Sequence, residues 1–199
     1  MPRPRYLHYT IKMSSQAIQT FNHSIQDATE LLDHFDALNT NPPPPPNAEV
    51  LKRASLVMAL AALETYIEDR IIEAASAVAG GTANGGRLAS FYLSSLENDL
   101  KYFHTPSTDR VRTIFEKYLA IDVTEGWKWN HFDQVRAKAE LNRIAKKRGD
   151  IAHRSLRPQA GQPVPHAVTR DELRKHIRFI CDLVASTDKY LEVKLSEGG

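Results

Sequence analysis

Apolar positions recur at helical spacing along most of this chain. Ile11, Ile18, Phe21, Ile25, Leu32, Phe35 and Leu38 follow one another by threes, fours and sevens, which is one face of an amphipathic helix. Five prolines, Pro42 to Pro46, stop it, because they lack the N–H that a helix needs and hold a stiff polyproline conformation. The run reads as a spacer between two helices. Leu56, Leu60, Leu63, Ile67, Ile71, Ala74 and Val78 then form the strongest stripe, over Glu49 to Ala79, with Gly80-Gly81 as its stop. Phe91, Tyr92, Leu96, Leu100 and Phe103 suggest a shorter helix. Thr108-Asp109 caps another, bearing Val111, Ile114, Phe115 and Tyr118. Phe132, Val135, Ala137, Leu141, Ile144 and Ala145 form a stripe that leads into Arg148. Thr169-Arg170-Asp171-Glu172 is a capping box opening a last helix, with Leu173, Ile177, Ile180, Val184 and Leu191 on one face. No strand-like alternation appears. The pattern predicts an all-α, up-and-down bundle of four long helices with shorter helices inserted. Residues 1–46 supply an N-terminal helix and Pro-rich spacer packed on the bundle, and residues 47–199 the main helical domain.

Composition narrows the class. With 42% hydrophobic and 25% charged residues the chain is an ordinary globular one. A net charge of +2 does not by itself select a partner, so local clustering must. The single cysteine, Cys181, lies on a helical apolar stripe and reads as a small buried hydrophobe, which fits a reducing, cytoplasmic setting. Met1-Pro2-Arg3-Pro4-Arg5 does not begin a signal peptide, and the longest apolar run, Val57 to Leu63, is too short to span a bilayer. No membrane partner is expected.

The chemistry concentrates in Lys147-Arg148-Gly149-Asp150-Ile151-Ala152-His153-Arg154. A guanidinium grips phosphate and an imidazole moves protons near neutral pH. Such a pair suffices to cleave RNA without a metal, since RNA carries its own 2′-hydroxyl nucleophile. The spacing alone says little. With 15 arginines and 8 histidines in the sequence, chance supplies about two arginines followed by histidine after four to six residues. Three occur: Arg3 to His8, in a Pro-rich tail; Arg170 to His176, on what reads as a solvated helix face; and Arg148 to His153. Only the last joins an apolar stripe to a cationic cluster, made of Arg143, Lys146, Lys147, Arg148, Arg154 and Arg157 and opposed locally by Asp150 alone. Such a cluster suits a polyanion; its bland alternative is a solvated face.

Arg148 continues the line of Ala137, Leu141 and Ile144 to within about 60°. It is therefore either a phosphate-gripping group or a structural partner of an acid such as Glu64 or Asp69. His153 lies about 140° further round an unbroken helix, and a surface or capping role competes with a catalytic one. Two devices could bring the pair together: a bend or stop at Gly149 followed by a cap at Asp150, or a two-fold dimer that faces both copies into one cleft. Trp127 and Trp129 read as core anchors ahead of base-stacking groups. The glycine-rich loop from Gly80 to Gly86 lacks the Gly-Lys-Ser/Thr ending of a phosphate loop, and no spacing suits a zinc or di-iron site. No cofactor is expected.

Three segments in order resemble the HEPN superfamily, within it the RiboL-PSP-HEPN type: Ala62-Leu63-Glu64-Thr65-Tyr66-Ile67-Glu68-Asp69, the stretch from Val111 to Trp129, and Arg148-Gly149-Asp150-Ile151-Ala152-His153-Arg154. The resemblance spans roughly residues 50 to 195. It implies a HEPN-like bundle, a homodimer, and a metal-independent endoribonuclease acting on RNA in toxin–antitoxin or anti-phage defence, with an antitoxin protein as a further partner. By motif, the family's arginine and histidine fall on Arg148 and His153. Asp150, Arg154, Lys146, Lys147, Arg143 and Glu64 are candidates for substrate binding and support. Many members place Asn, Asp or His directly after the arginine, where this chain has Gly149. A related branch carries a modifiable tyrosine two residues after the histidine, where this chain has Ser155. The alternative function is a non-catalytic dimeric module binding protein or RNA.

Overall fold

A computed structural model of the protein describes residues 15–39, 45, 47–80, 85–153 and 168–197. Six α-helices are present among them: α1 (Gln16–Leu38), α2 (Glu49–Gly80), α3 (Gly85–Leu100), α4 (Thr108–Leu119), α5 (Gln134–His153) and α6 (Arg170–Glu197), with a 3₁₀ turn at Val123–Gly126. The described residues form no strand, only an isolated bridge between Trp129 and Phe132. The architecture is the all-α bundle that the periodicity predicts. Ile11 and most of the proline run lie outside the described residues.

Helix α2 is the axle. It packs against α1, α3, α4, α5 and α6. A single stripe does not describe it: Ser55, Ala59, Ala62, Tyr66, Arg70 and Ala75 are buried alongside the predicted leucines and isoleucines. A helix enclosed on several sides needs a broad buried surface, and small alanines let neighbours approach closely. Val78 falls off that surface and is exposed, as are Leu38 at the end of α1 and Phe91 on α3.

Polar groups fix how the helices meet. Ser15 caps α1 by accepting from Ile18 N–H at 3.3 Å. The Glu73 carboxylate of α2 accepts from Gln16 and Ala17 N–H at 3.2 and 3.3 Å, placing negative charge on the positive end of α1. Asp188 of α6 accepts from Ser15 Oγ and Arg70 Nε, both at 2.7 Å, and from Tyr66 Oη at 3.4 Å. All four residues are buried, so this knot joins α1, α2 and α6 inside the core. Burial, then Asp188, push the Tyr66 phenol well above its ordinary pKa. At the far end of α1, Asp36 accepts from Arg170 Nη2 at 2.7 Å and Arg174 Nη2 at 3.0 Å of α6.

Trp127 and Trp129 are core anchors, as expected. Trp127 is fully buried and donates from Nε1 to Thr187 Oγ1 at 2.8 Å. Trp129 stacks on Phe132 with ring centroids 5.2 Å apart, and both meet Phe179 of α6. Gly126 makes this corner possible, since a Cβ there would lie 2.3 Å from Tyr190 Cβ. Cys181 is buried, and burial pushes its thiol up to about 12.

Candidate nucleic-acid site

The site is built around α5. Ala137, Leu141, Ile144 and Ala145 are buried, as predicted, whereas Val135 is 76% exposed in the first turn. One turn past Ile144, Arg148 comes off the core side with its side chain only 22% exposed. Its Nη2 lies 3.9 Å from Glu64 Oε2 of α2, at the outer limit of an ion pair. Its Nε is buried and donates no hydrogen bond among the described residues. Of the two acids weighed as its partner, Glu64 is the one in reach. The guanidinium is anchored at one corner, and its Nε donor is unspent among the described residues.

Gly149 does not end the helix: α5 continues through Gly149 and Asp150 to His153. Asp150 is an interior helical residue and not a cap, and Ile151 is buried. An open glycine is tolerated in a helix when flanking apolar residues pack, at a cost of about 1 kcal/mol against alanine. In an unbroken helix the five-residue step turns position 153 about 140° from position 148. A helix stop at Gly149 is thus not the device that unites Arg148 and His153. His153 is described only as the last helical residue, and Arg154 and Arg157 lie outside the described residues.

The remaining cations of the cluster are less available than the linear sequence implies. Arg143 donates to Glu140 at 2.8 and 2.9 Å and reaches Glu172 at 3.4 Å, and Lys147 Nζ donates to Glu172 at 2.7 Å. Burial disfavours the Glu172 carboxylate, but Lys147, the His176 charge and the Thr169 backbone together outweigh it and hold it at about 2. These opposing acids come from one turn earlier on α5 and from α6, so a window around residue 150 misses them. Lys146 is exposed. His176, read from sequence as part of a solvated face, is 1% exposed. Its ring nitrogens lie 3.5 Å from Glu140 Oε1 and Glu172 Oε1. Burial, then Arg143, lower its pKa.

Two further groups that sequence reasoning missed act electrostatically on Glu64. Burial raises the Glu64 carboxyl above its ordinary pKa, while Arg148, His104 and Arg110 oppose that rise electrostatically. His104 is exposed in the loop after α3, and Arg110 is exposed in the first turn of α4, donating from Nη1 to Tyr102 O at 3.1 Å. Neither lies within any motif, and only the packing of α3 and α4 on α2 brings them within electrostatic reach of Glu64. Glu64 of α2 is thus paired with Arg148 of α5 and lies within electrostatic reach of Arg110 of α4, with Glu68 as a second carboxylate one turn along α2; two guanidiniums acting in one region suit an anionic ligand.

The family model of RiboL-PSP-HEPN matches residues 22–193, from within α1 to near the end of α6. Comparisons with curated proteins and with solved structures find no match. Among the described residues no helix is long and apolar enough to cross a membrane.

Proposed function

The chain belongs to the RiboL-PSP-HEPN family, and on that premise we propose that it is a metal-independent endoribonuclease of toxin–antitoxin or anti-phage defence. The observation that carries the reading is Arg148: half-buried, held at one corner by Glu64, with Nε unspent. His153 removes the proton of a 2′-hydroxyl, whose oxygen attacks the adjacent phosphorus. Arg148 stabilises the doubly charged phosphorane. Protonation of the departing 5′-oxygen breaks the P–O bond, leaving a 2′,3′-cyclic phosphate and a 5′-hydroxyl. Glu64 acts as a positioning residue for Arg148. Lys146 and Arg154 hold flanking phosphates, and phosphate at Lys147 or Arg143 competes with Glu172 and Glu140.

The register of α5 supports assembly as a homodimer. Since position 153 turns away from position 148, a two-fold axis that brings the partner's His153 toward Arg148 supplies the pair in trans, with one imidazole as base and another as acid. The setting that fits is the cytoplasm, with an antitoxin protein as the further partner.

One observation favours a second reading, a non-catalytic dimeric module that binds protein or RNA: Arg143 and Lys147 are already paired within the chain. Incubating the protein with single-stranded RNA in excess EDTA separates the two. The nuclease cleaves, leaves cyclic phosphate ends and is silenced by His153→Ala. Cleavage lost on chelation, or unchanged by His153→Ala, sinks the mechanism.

A further inference from the structure

A groove of about 350 Å³ opens between the end of α3 and the first turns of α4, within the size range of small-ligand sites. Its apolar lining is Tyr102, Phe103 and Ile114, and its polar lining includes Asp99, Arg110 and Lys117. Phe103 is buried beneath, whereas Tyr102 is 77% exposed. An exposed tyrosine over an apolar floor is a stacking platform for a flat heterocycle.

The polar side is preorganised. Asp99 Oδ2 accepts from Tyr118 Oη at 2.7 Å and also from Lys117. Oδ1 accepts no hydrogen bond among the described residues. Those two donors, Lys117 first, hold the carboxyl below its ordinary pKa, so it faces the groove as an ionised acceptor. Among the described residues Arg110 makes one hydrogen bond, to the Tyr102 carbonyl, and keeps other donors open. Arg110 also acts electrostatically on Glu64, the partner of Arg148, so one lining cation of the groove is within electrostatic reach of the proposed cleavage centre.

We infer that this groove is a base subsite for the RNA strand, selective for bases bearing an exocyclic amine. It rests on the endoribonuclease reading for its strand, though not for its chemistry. A carboxylate accepts from the amine of cytosine, adenine or guanine. Uracil offers one N–H between two carbonyl oxygens, which oppose the carboxylate. Arg110 then takes the phosphate of the same nucleotide.

The test titrates the full chain with AMP, CMP, GMP and UMP and follows backbone amide shifts. Mononucleotides have no scissile bond, so the readout is independent of nuclease activity. Shifts should centre on residues 99–117, with UMP binding at least about five-fold more weakly than CMP. Asp99→Asn should close most of that gap, because an amide serves either base. Tyr102→Ala, at an exposed position where folding is not at stake, should weaken all four by at least about five-fold. A single-stranded RNA oligomer should displace CMP and bind more tightly than it. No shifts at millimolar nucleotide, shifts centred elsewhere, or equal binding of all four bases would overturn the inference. So would an oligomer that binds no better than CMP, which assigns the groove to a free nucleotide. Amine-selective binding in a protein that cleaves no RNA in EDTA leaves the groove standing and removes the nuclease.

Discussion

Arg148 Nη2 stands 3.9 Å from Glu64 Oε2, with both side chains about one-fifth exposed, while Arg148 Nε is buried without a partner among the described residues. So long a contact in a partly wetted site contributes about 1 kcal/mol or less to folding. Arg148→Ala should therefore lower stability by no more than that, yet slow cleavage about 10²–10³-fold. Urea unfolding and single-turnover cleavage on the same preparation check both halves. A variant that unfolds markedly, with activity falling only in proportion, would make Arg148 structural.

The opposite balance holds for Asp188. It accepts from Ser15, Arg70 and Tyr66 in the core. Asp188→Ala leaves the Arg70 charge buried and unpaired, which costs about 3–5 kcal/mol, a large share of a domain's stability. Adding Arg70→Met to Asp188→Ala should recover part of the loss. A cost below about 1 kcal/mol in chemical unfolding would show the knot to be unimportant.

Gly149 is helical, and a Cβ there meets no atom within 4 Å. Gly149→Ala should stabilise the protein by up to about 1 kcal/mol. Because α5 is already continuous, cleavage should be retained. Activity abolished by this alanine, in a protein with a raised Tm, would restore the glycine bend as a working part of the site.

Acid should weaken the fold in two stages. His176 has a folded pKa below its ordinary 6.5 because of burial, and Glu172 is held at about 2 against an ordinary 4.5. Both shifts favour the deprotonated form in the folded state. Their stabilisation is complete above each ordinary value and is lost as pH falls toward each folded value. The urea midpoint should start to drop below about pH 6.5, before carboxylates titrate, and drop again below about 4.5. His176→Phe should flatten the first limb and shrink the second, because the His176 charge helps to hold Glu172 low. An unchanged first limb in that variant assigns it elsewhere.

If Arg148 pairs with the partner's His153, two inactive proteins should rescue each other. Arg148→Ala mixed one-to-one with His153→Ala, after subunit exchange, forms heterodimers in which one site keeps an Arg148 and the other chain's His153 but lacks the second imidazole, and should regain activity above both parents yet below about a quarter of wild type. No recovery in a mixture shown by mass to contain heterodimers, or an active monomer in sedimentation, refutes the composite site.

Sequence by itself determined what depends on local periodicity: six helices, the stop at Gly80, the burial of Leu141, Ile144 and Cys181, and the anchoring role of the tryptophans. It also singled out Arg148 and offered Glu64 or Asp69 as its partner, since an arginine on an apolar stripe needs an acid within reach. Only the tertiary structure decided which groups meet. Glu140 and Glu172 neutralise cations that seemed unopposed, His176 is enclosed between α5 and α6, and His104 and Arg110 arrive at Glu64 from a loop and a neighbouring helix. The helix through Gly149 was likewise a tertiary outcome, because burial of Ile151 outweighs the glycine's preference. Periodicity reports which face of a helix is apolar. It carries no information on which distant charges share that face, because pairing depends on how the helices cross.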